Sequence, residues 1–363
     1  MDQLKEARQR IDQIDEEMAR LFCERMQAAE LVAEHKKVHG LPVYDKDREA
    51  ALINKNMKLV ENPVYREYYV NFLKDVMKIS RQYQHRLLQG MKVAYSGVEG
   101  AFAAIAAGKI FPDAEKIACG DFKEAYDSVV SGDCDAAVLP IENSYAGEVG
   151  QVMDLIFSGS LYINGVFELA INQNLLGLPG AQTKDIHTVI SHPQALSQCA
   201  SYIKEHGFEQ ISFVNTALAA QHVQELGDIH TAAIASKETA ELYGLEVLEP
   251  NINSSRSNTT KFAVFSRAEA AGRSPSEQNF ILVFTVRNEV GSLAKAMNIV
   301  GRYGFNMRAL RSRPMKTLLW QYYFYLEAEG DIHSPAGQSM LAELSECCDR
   351  LKMIGTFNLH EEL

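Results

Sequence analysis

Along residues 1 to about 90, apolar positions recur at helical spacing: Leu4, Ala7, Ile11, Ile14, Met18, Leu21, Met26, Ala29 and Val32. Steps of three and four, with one of five between Leu21 and Met26, place them along one side of a helix. Gly40 and Pro42 stop this first helix, a second begins near Asp45, and a third runs from about Pro63 to Leu88. A first helix of about 36 residues is ~54 Å long at 1.5 Å per residue. A ninety-residue monomer cannot cover such a rod, so the pattern predicts packing against another chain.

From Met91 the rhythm changes. Short apolar runs, "KVAYSG", "AAVLPIEN", "HTVISH", "ISFVN", "TAAIAS" and "KFAVFS", end in polar residues or Gly. Helical segments such as Lys123 to Ser131 and Leu218 to Leu226 lie between them. The alternation predicts α/β structure, with functional residues at the carboxyl ends of strands. A polar stretch, "EAAGRSPSEQ", then reads as a linker. Residues 280–363 follow as strand, helix, strand, strand, helix, strand, which predicts a ferredoxin-like α+β sandwich. The expected division is a helical domain over 1–90, an α/β domain over 91–268, a linker over 269–279 and the sandwich over 280–363.

The chain has 363 residues, enough for two or three domains. A net charge of −11 argues against general binding to nucleic acid or anionic membranes. A basic pocket for a small anion needs only a few Arg and Lys and stays open. The charged N-terminus lacks a secretory core, and no apolar run approaches the roughly 20 residues that span a bilayer. Six scattered cysteines show no metal-ligand or disulfide spacing. These features predict a cytoplasmic protein with reduced thiols.

In the helical segment, Arg25 and Lys36 are eleven apart and share a face within roughly 20°. Arg8, seventeen before Arg25, lies roughly 100° away on the same wheel. Asp45, Arg48 and Glu49 share a face by i, i+3, i+4 spacing, as do Ser80 and Gln84 by i, i+4. Taken singly, each reads as solvated surface charge. As a set over about residues 4 to 86, they resemble the all-helical chorismate mutases, domain-swapped dimers with three helices per chain. The resemblance implies that Arg8, Arg25, Lys36, Asp45, Arg48, Glu49, Ser80 and Gln84 line the site, with Arg8 serving the partner's. It also implies a Claisen rearrangement of chorismate to prephenate. That reaction asks for a folded dianion and stabilised charge on the breaking ether oxygen. Arginine forks suit the carboxylates, Lys36 and Gln84 the ether oxygen, and Glu49 the substrate hydroxyl.

In the α/β segment, "YSGVEGAF", "LPIENS", "ISHPQALSQC" and "SNTTKF" end apolar strands. Each has a local reading: Gly97 and Gly100 as turn residues, Asn143, Ser144 and Ser191 as helix caps, His192 as a turn or cap. In this order they resemble prephenate dehydratase over about residues 92 to 267. That family has two α/β lobes, like a periplasmic binding protein, with the site in the cleft between them. The resemblance implies that Glu142, Asn143, Ser191, Gln198 and Thr260 lie in the cleft. Thr260 then assists departure of the ring hydroxyl as prephenate loses CO2, and no metal or organic cofactor is required. Three positions depart from the family pattern: Val98 replaces a proline, Ala101 a Ser or Thr, and Lys261 an arginine. Lys261 keeps positive charge for a substrate carboxylate but loses the planar fork.

Residues 280 to about 357 resemble the ACT domain of dehydratases, which binds phenylalanine at a subunit interface. The resemblance rests on Gly291, Ser292, Leu293, Ser312 and Arg313, with Arg311 where that family carries Glu. It implies phenylalanine as effector and a homodimer or higher homo-oligomer. Against these stand three rivals: a dehydratase-like decarboxylase that omits aromatisation, arogenate as substrate, and a non-catalytic small-molecule sensor. Thr260 disfavours the first, and Thr260 with the complete mutase set the last.

Overall fold

Three helices build the first unit: α1 (Asp2–His39), α2 (Lys46–Met57) and α3 (Pro63–Gln89). α1 ends where Gly40 takes φ +63°, a left-handed turn that favours glycine. Asp45 caps α2, accepting from the Arg48 N–H at 2.9 Å, and Asn62 caps α3, accepting from Val64 N–H at 3.0 Å. α3 runs beside α1 in the same direction, since Arg25 meets Ser80 and Glu30 meets Tyr83. Ala29, Ala33, Leu73 and Met77 are buried there, but the stripe from Leu4 to Leu21 stays exposed, Leu4 at 60% and Ile11 at 55%.

This computed structural model describes residues 2–255, 257–270, 278–315, 321–358 and 361–363. Two compact units divide it, Met1–Met91 and Lys92–Leu363. Most of the expected linker, residues 271–277, lies outside the described residues, as does the start of the "LWQYYFYLEA" strand.

The second unit opens with β1 (Lys92–Ser96), α4 (Phe102–Ile110), β2 (Glu115–Cys119), α5 (Phe122–Ser131), β3 (Ala136–Asn143), β4 (Gly147–Glu148), α6 (Gly150–Ser158) and β5 (Tyr162–Ala170). Next come β6 (Asn174–Gly177), β7 (Thr188–Ser191), α7 (Pro193–Gln198), α8 (Ala200–His206), β8 (Glu209–Ser212), α9 (Thr216–Leu226), β9 (Thr231–Ala235), α10 (Lys237–Tyr243) and β10 (Glu246–Glu249). The chain closes with β11 (Thr259–Ser266), β12 (Gln278–Val286), α11 (Ser292–Arg302), β13 (Asn306–Pro314), β14 (Tyr322–Glu329), α12 (Pro335–Cys347), β15 (Cys348–Asn358) and β16 (Glu361–Glu362).

The first sheet runs β2-β1-β3-β11-β5-β16, with β4 on β3, and the second runs β8-β7-β9-β6-β10. β1, β2 and β3 are parallel, while β11 is antiparallel to both β3 and β5. The chain leaves the first sheet after β5 and returns at β11, so two crossings join the lobes. The third sheet, β13-β14-β12-β15, has the ferredoxin-like strand order. Helices α11 and α12 cover one of its faces through Phe280, Leu282, Ile299 and Leu344. The alternate residues Ile281, Val283, Tyr323 and Ile354 join the core of the first sheet, with Leu139, Met153 and Phe265. β12 is thus buried on both faces, which explains why "FILVFTV" is a continuous apolar run. Among the described residues, no helix is long and apolar enough to cross a membrane.

Candidate active sites

A cavity of about 510 Å³ opens where the two crossings meet. Phe102, Asn143 and Thr260 line it from the first lobe, and Gln173, Gln198 and Thr216 from the second. Thr260, the second residue of β11, lies directly opposite Asn143, the last residue of β3. Asn143 Nδ2 donates to Thr260 Oγ1 at 2.9 Å and to Asn258 Oδ1 at 2.9 Å. Its Oδ1 accepts from the N–H groups of Tyr145 and Ala146 at 3.0 and 2.8 Å. The amide is therefore fully engaged, and it occupies a lone pair of the threonine oxygen. That leaves the hydroxyl proton free to donate to a bound molecule.

Gln198 is buried and accepts from Gln173 Nε2 at 3.3 Å, while the Oε1 of Gln173 is buried without a partner. Gln173 was not among the expected residues; a lone glutamine at a lobe crossing carries no motif. Among the described residues lining the cavity, none is Lys or Arg. Positive potential comes instead from helix starts. Ala101, Phe102 and Ala103 open α4 against the cavity, and Asn215 and Thr216 open α9. Ala101 caps α4 without a side-chain hydrogen bond. Ala101→Ser is expected to stabilise the second unit by about 1 kcal/mol, read as a higher thermal midpoint; no rise contradicts a missing cap.

Three expected cleft residues lie elsewhere. Successive side chains on a strand face opposite ways, so with Asn143 and Thr260 in the cavity, Glu142 and Lys261 turn to the other face. There they line a separate cavity of about 320 Å³ with Arg308, Arg311 and Glu327 from the third sheet. Arg311 Nη2 lies 2.6 Å from Glu142 Oε1, and Lys261 Nζ lies 3.9 Å from Glu142 Oε2. Lys261 therefore faces a protein carboxylate rather than the cleft. Ser191 is fully buried and donates to the Ile234 carbonyl at 2.5 Å, away from the cavity. The cap of α7 is His192, whose Nδ1 accepts from Gln194 N–H at 3.2 Å.

In the helical unit, Arg25 Nη1 donates to Ser80 Oγ and, at 3.4 Å, to the Val76 carbonyl. Burial pulls the Arg25 guanidinium below its ordinary pKa, opposed by the charge of Glu49. Glu49 pairs with Arg81, a partner absent from the expected set. Gln84, one turn beyond Ser80, is buried with Oε1 unpartnered. Lys36 Nζ donates to the Val43 carbonyl at 2.5 Å, and Asp45 serves as helix cap. Arg48 is exposed. Arg8 is also exposed, seventeen residues from Arg25 on α1 and so ~26 Å away along the axis. Within one chain, Arg8 does not join the Arg25–Ser80 cluster.

In the third sheet, Gly291, at φ +84°, caps α11 without a side-chain bond. Leu293 lines a cavity of about 410 Å³ with Thr285, Tyr322 and Phe324. Ser292 is half-buried in the first turn of α11, and Ser312 is exposed opposite Phe324. Arg313 is not part of that group. It faces the first lobe, with Nη1 2.6 Å from Glu148 Oε1. Among the described residues, no cluster of three or more His, Cys, Asp or Glu is placed to hold a metal ion.

Residues 93–270 match the prephenate dehydratase family and residues 7–85 the type II chorismate mutases. The chain thus joins a helical mutase unit to a two-lobed dehydratase unit. It is 33% identical over 353 residues to a bifunctional chorismate mutase/prephenate dehydratase of Neisseria gonorrhoeae, covering 96% of this chain and 95% of that protein. It is 32% identical over 281 residues to arogenate dehydratase/prephenate dehydratase 1, chloroplastic, of Arabidopsis thaliana, covering 74% of this chain and 72% of that protein. A solved prephenate dehydratase of Arthrobacter aurescens in complex with L-Phe superimposes with TM-score 0.69 at 26% identity, covering 74% of this chain and 90% of that one. The chain belongs to the bifunctional chorismate mutase/prephenate dehydratase family.

Proposed function

We propose that the two units catalyse consecutive steps of phenylalanine biosynthesis, chorismate to prephenate and prephenate to phenylpyruvate. The observation that carries the second step is the Asn143–Thr260 pair at the wall of the cleft cavity. Breaking the C–CO2 bond sends its electron pair into the ring and expels the ring hydroxyl. Thr260 donates a hydrogen bond to that oxygen as it leaves, a proton from solvent passes to it through the hydroxyl so that the threonine ends neutral, and water and CO2 are released. Gln198 and Gln173 offer amides to the substrate, and the starts of α4 and α9 meet its carboxylates. Mixing the chain with prephenate and following phenylpyruvate tests this step; no product refutes it.

In the helical unit, Arg25, Arg48, Ser80 and Asp45 hold chorismate, Lys36 and Gln84 donate to its ether oxygen, and Glu49 accepts from its hydroxyl. The burial of Gln84 one turn beyond Ser80 and the Arg25–Ser80 contact support this reading. A homodimer supplies Arg8 to the partner's site. The exposed stripe from Leu4 to Leu21 supports it, because an apolar face of that length needs a cover.

The three-part division at 1–90, 91–268 and 280–363 is retained, with a two-lobed, binding-protein-like dehydratase and a third part of the ACT type. That part takes phenylalanine beside Gly291, Ser292, Leu293 and Ser312. The related dehydratase complexed with L-Phe and the cavity beside Leu293 support this. Calorimetry with phenylalanine tests it, and no binding at millimolar concentration removes the claim.

A second reading takes arogenate in the same cavity. The unpartnered Gln173 Oε1 favours it, because it can accept from arogenate's ammonium group. Comparing kcat/KM for the two substrates separates them.

A further inference from the structure

The β3–β4 hairpin carries an electrostatic conflict. Glu142 and Glu148 lie directly opposite each other across it, and like charges so placed destabilise a strand pair. The next pair is Asn143 and Gly147, so the residue holding Thr260 sits beside the repelling carboxylates.

Two arginines of β13 cover that conflict. Arg311 Nη2 is 2.6 Å from Glu142 Oε1, and Arg313 Nη1 is 2.6 Å from Glu148 Oε1. Two residues apart, they share one face of their strand. Arg313 Nε also lies 3.4 Å from Asp154 in α6, the helix that follows the hairpin. Gly150 makes room for it, since a Cβ there would fall 2.6 Å from Arg313 Nη2. The far end of α6 is held by Lys352 of β15, whose Nζ donates to the Gly159 carbonyl at 2.5 Å. Between these ends, Phe157 stacks on Tyr323 of β14 at 4.2 Å. Every one of these holding groups belongs to the ferredoxin-like sheet, and Glu148 itself lines the cleft cavity.

We infer that Arg311 and Arg313 are positioning residues of the dehydratase site. By neutralising the hairpin carboxylates, which point to the sheet face behind the cavity, the ferredoxin-like sheet fixes Asn143 and keeps uncompensated negative charge from standing behind the cavity wall. The inference rests on the dehydratase reading, in which that cavity receives a dianion.

The test uses the full chain and prephenate. Arg313→Met is expected to raise KM about tenfold, because the freed Glu148 carboxylate repels the substrate. The gap should narrow at high salt, where the charges are screened. Adding Glu148→Gln to Arg313→Met should bring KM back to within about threefold of the parent. An unchanged KM in Arg313→Met, or a double variant as impaired as the single one, overturns the inference. If Arg313→Met does not fold, Arg313→Lys takes its place. It keeps the charge but not the fork, so a rise of about threefold, reversed by Glu148→Gln, is expected; absence of the rise or of the reversal overturns the inference. A parent chain that turns over no prephenate is a separate result, and it refutes the dehydratase assignment itself.

Discussion

Thr260→Ala is expected to lower dehydratase kcat about 10³-fold, or ~4 kcal/mol of barrier, while mutase turnover stays at the parent value. The size follows from what the hydroxyl does. In the proposed mechanism it meets the departing oxygen only as the bond breaks, so its loss falls on kcat more than on KM. Thr260→Ser keeps the donor and should retain most of the activity. Asn143 predicts a finer pattern. Its amide directs the Thr260 proton without itself being free to donate further, so Asn143→Ala should slow turnover less than Thr260→Ala. Equal kcat in Thr260→Ala and the parent contradicts the assignment of the proton donor.

Lys36→Ala is expected to abolish chorismate mutase turnover, a loss of at least 10²–10³-fold, the size typical of losing one donor to developing transition-state charge. Dehydratase activity and the oligomeric state should match the parent's, read by prephenate turnover and by sedimentation. The Claisen rearrangement uses no base or covalent intermediate, so its acceleration depends on charge stabilisation, and the neutral amide of Gln84 alone does not replace a cation aimed at the ether oxygen. In the free protein Lys36 is held on the Val43 carbonyl at 2.5 Å. In the proposed mechanism substrate draws it off that contact, and the negative charge gathering on the ether oxygen as the bond breaks makes the stronger partner. Unchanged turnover in Lys36→Ala refutes the role.

The helical unit was legible in sequence because every signal in it is local. Gly40, Pro42, the start near Asp45, Pro63 and the 3.6-residue period all act within a turn or two, and the helices end at His39, Met57 and Gln89. In the α/β part, the resemblance to prephenate dehydratase pointed to Asn143, Gln198 and Thr260, which the cleft cavity brings together. The face taken by their neighbours was not legible. Glu142 and Lys261 adjoin two cavity residues, and alternation sends them to the opposite side. Family resemblance names positions, whereas the pleat decides direction.

Lys261 and Arg311 look in sequence like two unrelated departures from a family pattern. They converge on one carboxylate, Glu142, although they stand 50 positions apart in the chain. No local rule relates residues that far apart. The continuous apolar run of β12 likewise announced a buried strand without saying what covered its second face. That cover is the first-lobe core, and it ties the ferredoxin-like sheet to the dehydratase.

The most direct measurement is product analysis after incubating the purified chain with chorismate alone. The prediction is transient prephenate followed by phenylpyruvate, released with CO2. Chorismate left unchanged, or prephenate accumulating without phenylpyruvate, contradicts the bifunctional account.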